Sequence, residues 1–517
     1  MELLTLLIAV AIVAGSWAVW AHSRGAADAR LQAPNTPLSA VSAALLEDLP
    51  ESVSTEGQSQ FAASVDSYWA DQQREIVPEC VVKPRTDAEV SIAVKIINDH
   101  FTQAISQGRE PLKFAVRGAG HSAIPGFSNA AGGVVVDLSL LNHVELSADR
   151  STVSVGGGAK WVDVSRKLDP LSLAVVGGRN GDVGVGGLTL GGGYSFYSPR
   201  KGFVCDNVAE YRIVLASGET TTASEQHNHD LWRALKGGGN NFGIVTNFTL
   251  RVFPNGKLWG GFLYMSSSKI DQTLHAFHRS LETFDEYAAG PLVCITWLQK
   301  VGFRIISLHL MYTKPEVWPT FWQPFKSIGR LWSTTKIRSL TSATEELDSV
   351  APARPRKLHM STVIKNDLAT LQFAHKVFEE KIGRLKKVKG MTWTLVFQPV
   401  HASSMQKGRD NVLGLQNRTE NLVVVLFAGV WEQALDDMHV NETAKTALDT
   451  IRRYAADRGM ADDFCYVNWC PNTSTSPFLS YGAENVALLK RVGRAVDPDG
   501  LFQRGCVGGY KLVGVEA

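Results

Sequence analysis

Residues 114–122 read FAVRGAGHS, an apolar run of strand type that breaks into Arg117-Gly118-Ala119-Gly120 and delivers His121 onto a turn. Glycines in such a turn let the backbone take positive φ and approach a ligand closely, and their N–H groups can form an anion-binding nest. A turn nearly free of side chains also fixes the imidazole of His121 at one place. The stretch predicts a strand and turn that grip an anionic group and hold a histidine beside it.

The same composition recurs further on. The chain has 46 glycines, clustered at Gly156-Gly157-Gly158, from Gly177 to Gly193, and at Gly237-Gly238-Gly239. A dinucleotide fold of the Rossmann kind needs G-x-G-x-x-G between a strand and a helix of a parallel unit. Neither GAGHSA nor GVGGLTLGGG has that spacing. A nicotinamide-type fold is therefore disfavoured, while a glycine nest for a pyrophosphate is not.

Composition sets outer limits. At 517 residues, 44% hydrophobic and 20% charged, the chain can bury a large core and exceeds one ordinary domain. Net charge is +2, and the lysines and arginines form no basic stripe, so nucleic acid is excluded as a partner. The six cysteines (Cys80, Cys205, Cys294, Cys465, Cys470, Cys506) are too few for a disulfide scaffold and contain no C-x-x-C pair. His227-Asn-His229-Asp230 lacks the spacing of helical metal ligands and reads as a solvated loop, so no metal site is expected.

Leu3 through Ala21 carries no charge, the length of a signal peptide's apolar region or of a marginal membrane span. Residues 1–21 therefore read as a signal peptide or a membrane anchor, and the expected location is the secretory pathway. N-x-S/T acceptors at Asn247, Asn417, Asn441 and Asn472 fit a glycoprotein. Residues 22–66 are rich in Ala, Ser, Pro and Gln and read as a linker.

Beyond the linker, Thr86 and Glu89 form a capping box ahead of an amphipathic helix with Val90, Ala93, Val94 and Ile97 on one face. Short strands follow at CVVKP, KFAVRG, GGVVVDLS and STVSVGGG, a helix at AKWVDVSRKL, and a hairpin around Ser217-Gly218. Past Pro254 glycine thins out, and long strand-like segments such as FRIISLHLMY and NLVVVLFAGVW alternate with helical ones. That texture predicts an α+β second domain.

Four stretches in this order are together specific: FAVRGAGHS, GGRNGDVGVGGLTLGGG (177–193), LKGGGNNFGIVTNFTLRVF (235–253), and a tail from YVNWC (466–470) through YGAENVALLKRVGRAVDPDGLFQR (481–504). From about Ser67 to Leu512 the chain resembles flavoproteins of the vanillyl-alcohol-oxidase type, and within them the berberine-bridge-enzyme-like branch of fungal metabolism. The resemblance implies a two-domain α+β protein. A PCMH-type FAD-binding domain at 72–255 would be completed by the segment 461–517. A substrate domain at 256–460, an antiparallel sheet covered by helices, would roof the flavin.

It also implies roles for single residues. Arg117, Gly118, Ala119, Gly120, His121 and Ser122 would wrap the FAD pyrophosphate, with His121 where relatives join a ring nitrogen to the flavin 8α-methyl carbon. Many relatives tether the flavin a second time through a cysteine; here Asn180 stands at that position, so the link would be single. Asp182, Val183, Gly186 and Gly187 would line the cofactor, and a valine at the position of Val183 goes with oxygen access in relatives. Gly243, Ile244 and Val245 would lie along the adenine side, and Tyr466 and Asn468 near the ribityl chain.

One departure bears on catalysis. Relatives that read Y-x-N-Y use the second tyrosine in proton removal, and Trp469 stands there. An indole has only a donor N–H and cannot be a base. Trp469 could instead stack on a planar substrate, and His401 or Asp410 could take the proton. The implied activity is a two-electron oxidation of a small alcohol, amine or polycyclic natural product by hydride transfer to FAD, with O2 as acceptor. Alternatives of the same fold are a sugar or oligosaccharide oxidase, a dehydrogenase using another acceptor, and a non-catalytic FAD-holding protein.

Overall fold

The strand that opens into the glycine turn is Phe114–Arg117, and it lies at one edge of a four-stranded sheet. It runs parallel to Val134–Asp137, which runs parallel to Cys80–Val82; Val53–Thr55 closes the far edge antiparallel. The helix Asp87–Ser106 covers this sheet with Val90, Ala93, Val94, Ile97 and Phe101, and Thr86 caps it by accepting the Glu89 amide. The computed structural model describes residues 37–351, 353–408, 410–470 and 476–515.

A second sheet of six strands is built on the long strand Ile244–Pro254, flanked by Thr152–Gly156 and Val208–Val214. Val208–Val214 and Thr220–Ser224 form the hairpin expected around Ser217-Gly218. The chain's tail returns to the first sheet: Cys506 bridges to Phe114, and the Val507 amide donates to the Phe114 carbonyl.

The third sheet has nine strands, all antiparallel, with Leu258–Ser266, Phe303–Tyr312, Ala288–Leu298, Thr392–Val400, Leu422–Trp431 and Arg356–Lys365 side by side. Strand alternation splits its residues into two faces. Val293, Ile295, Ile306, Leu308, Leu395, Val425 and Phe427 meet the helices Ile270–Ser280, Leu368–Leu385 and Asp437–Asp457. The opposite face turns towards the other two sheets, and Phe262, Met311, Val363, Val400 and Val424 share a core with Val185, Tyr194 and Tyr466. The expected α+β class, with a helix-covered antiparallel sheet, is what the chain forms.

The linker reading of residues 22–66 needs correction from residue 37 on, where the described residues begin. Helices Ala40–Asp48 and Ser59–Asp66 and the strand Val53–Thr55 fold onto the first sheet, burying Val41, Leu45, Val53, Phe61 and Val65. Each helix is only two to three turns long and rich in Ala and Ser, so the apolar period was too short to read. The apolar run at 3–21 and the acceptor Asn472 lie outside the described residues.

Candidate active site

The amides from Gly118 to Ala123 find no acceptor among the described residues. A row of open donors at a strand end suits a diphosphate. The Arg117 side chain does not join them, correcting the expectation for it. Its guanidinium turns back into the core, donating to the Ser64 carbonyl at 2.6 Å and Ser67 Oγ at 2.6 Å, over the Tyr68 ring and 3.6 Å from the buried Asp137 carboxylate. A Cβ on Gly120, where φ is +69°, would lie 2.8 Å from the Tyr68 ring and 2.9 Å from Arg117 Nε. Arg117 thus anchors the root of the turn, and the glycine makes room for that anchor.

His121 Nδ1 and Nε2 sit on a ring that lies flat on Trp69, with centroids 4.1 Å apart and 16° between planes. The Lys357 ammonium is 4.6 Å from the Trp69 centroid, and His359 tilts against the same indole at 5.5 Å. Burial, reinforced by His359, pushes the His121 pKa down to about 3, so its imidazole is neutral. Burial lowers Lys357 to about 8. Gln72 locks this corner by donating to the Lys357 carbonyl and accepting its amide. Trp69, Lys357 and His359 carried no motif in the sequence; each is a single position on a short segment or a strand.

The second glycine run packs against the first. Gly184 pairs with Lys160, and a Cβ there would lie 2.9 Å from Ala119; a Cβ on Gly186 would lie 2.9 Å from the Gly157 carbonyl oxygen. On Gly187 a Cβ would meet nothing within 4 Å, so this residue borders open space beside the turn. Val183 is half-buried at the core's edge. Asp182 is exposed and paired with Lys160 at 2.9 Å, while its amide is held by Asp348. Ile244 and Val245 are buried in the strand pairing with Val214 and Ile213, so they support the floor with their side chains in the core, and Gly243 packs its backbone against the Val214 carbonyl.

Tyr466 Oη accepts from the Gly193 amide and from Asn468 Nδ2, both at 3.1 Å, and Asn468 Nδ2 also donates to the Leu188 carbonyl at 3.2 Å. Trp469 lies parallel to Tyr194 at 6.4 Å and edge-on to Tyr466 at 5.1 Å. Its carbonyl accepts from Ser361 Oγ at 2.8 Å, tying the motif to the large sheet. The inward face of that sheet presents His359, Ser361, Thr394, Cys294, Ser307 and Tyr264 along its strands. The carboxylate on its edge strand, Asp462 beside Val363, is held by Arg418 at 3.0 Å and by the Phe464 amide.

Between this face and the glycine-rich domain lies a small cavity of about 30 Å3 lined by Arg179, Tyr194, His309, Gln398 and His401 among others. His401 is buried against Phe284, and burial lowers its pKa to about 4. Asp410, by contrast, is exposed, and its charge acts on Asp206 and Lys236. The structure therefore brings Trp469 and His401 to the domain boundary and leaves Asp410 at the surface. Arg179 stood in the quoted GGRNGD run, yet nothing in its spacing marked it out from its glycine neighbours.

Open amides, a side-chain-free wall at Gly184 to Gly187 and a neutral imidazole fit an FAD whose diphosphate lies on the turn and whose ring reaches His121. A model of an FAD-binding domain matches residues 78–224. The chain is 32% identical to the FAD-dependent monooxygenase drtC of Aspergillus calidoustus, over 84% of this chain and 82% of that one. It is 34% identical to the FAD-dependent monooxygenase FUP4 of Fusarium proliferatum, over 86% and 87% respectively. The xylooligosaccharide oxidase of Myceliophthora thermophila has the same fold, with a TM-score of 0.71, 19% identity, and coverage of 93% of this chain and 100% of that one. The chain belongs to the family of FAD-linked oxidoreductases that includes these fungal monooxygenases. Its fold is the one shared with the berberine bridge enzyme of Eschscholzia californica (TM-score 0.67, 14% identity, 91% of this chain and 99% of that one).

Proposed function

We propose that this enzyme oxidises a small alcohol, amine or polycyclic natural product in fungal secondary metabolism, with O2 as electron acceptor and FAD joined to the chain through His121 alone. Held by the turn from Gly118 to Ala123 and by His121, FAD would supply the two-electron chemistry, a hydride from the substrate being passed on to O2 as hydrogen peroxide. The observation that carries the reading is the neutral His121 ring, stacked on Trp69 at the end of the open turn. Only a neutral imidazole has the lone pair needed to bond a carbon electrophile. Asn180, hydrogen-bonded to Asp348, offers no thiol for a second link.

The chain's residues then act by holding and enclosing. Tyr466 and Asn468 brace the Gly191–Gly193 corner, Trp469 supplies a flat apolar surface, and the large sheet excludes water from the face above. His401 is neutral and enclosed, so it can accept a proton, although with a pKa of about 4 it favours substrates that are acidic in themselves. The relatives named as monooxygenases support secondary metabolism as the setting, and Val183 supports access for O2. The uncharged run from Leu3 to Ala21 supports passage into the secretory pathway, by a signal peptide or an anchor.

The test is peroxide release. Purified enzyme is screened with phenolic, alcoholic and amine natural products, and hydrogen peroxide is measured beside anaerobic bleaching of the flavin. Bleaching with peroxide on re-aeration supports the oxidase. Bleaching that air does not reverse replaces O2 with another acceptor.

A further inference from the structure

Buried arginines in this protein are matched by carboxylates. Arg74 meets Asp66 and Asp71, Arg117 meets Asp137, Arg338 meets Glu346, and Arg356 meets Glu75 and Asp437. That is the expected pattern, because a charge taken out of water without a partner is costly. Arg179 breaks it. Its guanidinium donates to Gln398 Oε1 at 2.7 Å and faces the rings of Tyr194 and Trp469 at 5.8 and 6.0 Å. No carboxylate lies within ion-pairing distance of it among the described residues, and part of its surface opens onto the interdomain cavity.

The cavity repeats the imbalance. Tyr194 Oη and Gln398 Nε2 are buried beside one another without a well-formed hydrogen bond, and His309 Nε2 is buried with no partner among the described residues. The first two are donors, and the third is one in its Nε2–H tautomer. Neither Asp nor Glu is among the residues that line the space. Burial and the nearby Arg179 and Arg338 keep His309 neutral, with a pKa lowered to about 3, so it adds no competing charge. A fixed guanidinium and a ring of idle donors around an acceptor-poor space describe a receptor for an anion.

We infer that this cavity binds an anionic oxygen group of the substrate, a carboxylate, enolate or phenolate, with Arg179 as its counter-charge and Tyr194 and Gln398 as donors. The inference deepens the oxidase reading and rests on it for the cofactor alongside. For an enolate or phenolate it also explains how the site works with neither a tyrosine at 469 nor a carboxylate lining the cavity: such a substrate arrives already deprotonated and needs no strong base. Trp469, beside both Arg179 and Tyr194, stacks on the planar part of such a molecule.

The test compares benzoate with benzamide, its neutral isostere, titrated into the flavin-loaded enzyme and followed by the flavin spectrum and tryptophan fluorescence. A charged partner for Arg179 makes benzoate bind about 10- to 100-fold more tightly than benzamide. Arg179→Met abolishes that preference and Arg179→Lys restores part of it. Because Arg179→Met removes an uncompensated charge, its Tm stays level or rises. Equal affinity for the two probes in the wild type, no benzoate binding, or a preference that survives in Arg179→Met would overturn the site. So would unchanged benzoate binding in Arg179→Met with a lowered flavin reduction potential, which would give Arg179 to the flavin instead. Binding is read without turnover, so a failed anion site and a failed oxidase reading are told apart by the peroxide assay.

Discussion

The His121 imidazole and the Trp69 indole are stacked 4.1 Å apart and 16° from parallel. The contact joins the glycine turn to a segment that precedes it by some fifty residues, and through Lys357 and His359 to the large sheet. Three parts of the chain thus meet at the ring that would carry the cofactor. The stacking sets the ring's plane, and burial keeps it unprotonated.

Arg117 anchors the turn without reaching a phosphate. Arg117→Met would leave the Asp137 carboxylate buried without its cation, at a cost of about 3–5 kcal/mol. Urea unfolding of flavin-loaded and flavin-free protein should register the same loss in both. A loss confined to the loaded form would mean that Arg117 contacts the cofactor after all.

Gly186 and Gly187 are adjacent and should respond in opposite senses. A methyl on Gly186 would press on the Gly157 carbonyl, so Gly186→Ala destabilises by about 1–3 kcal/mol. Gly187 lies in the helix Val185–Leu190 with open space beside its Cα, so Gly187→Ala stabilises the flavin-free protein by up to about 1 kcal/mol. Flavin content should nevertheless fall in Gly187→Ala if the cofactor occupies that space as proposed. Melting curves and the ratio of flavin to protein absorbance check both halves.

His309 and His401 give stability a defined dependence on acid. Their folded pKa values, about 3 and about 4, lie below the ordinary 6.5, so the unfolded chain binds more protons throughout that interval. Stability should be fully present above pH ~6.5 and fall as pH drops towards the folded values, by about 1.4 kcal/mol per pH unit for each histidine. Denaturation midpoints taken across that range test the slope. His401→Asn should lower it by one proton's share.

Trp469 is assigned stacking, not proton removal. Trp469→Phe keeps a flat ring and should change kcat by less than about tenfold, without moving its pH profile. A lost limb in that profile would show that the position governs a proton after all.

Much of this was legible in the sequence where a local rule decides the outcome. The helix cap at Thr86, the hairpin at Ser217-Gly218 and the strands Phe114–Arg117 and Thr152–Gly156 that lead into glycine turns follow from short-range chemistry. The Glu89 carboxylate, however, turns to the Arg85 amide and Ser52 and does not close the expected box. The glycine runs marked the cofactor domain because backbone packed on backbone leaves no alternative residue, as at Gly184 and Gly186. The corner made by Trp69, Lys357 and His359 was not legible, since it forms only when three distant segments converge. Arg179 escaped notice for a related reason: an arginine in a loop reads as solvated until its surroundings are known to lack a carboxylate. Asp410 failed in the other direction, as a polar residue near the right segment that the fold leaves outside.

The most direct measurement is the visible spectrum of purified wild type and His121→Ala before and after acid precipitation. A single histidyl link predicts that yellow colour stays with the wild-type pellet and is released from the variant into the supernatant. Colour that leaves the wild type on denaturation would contradict the link to His121, and colour retained by the variant would place it on another residue.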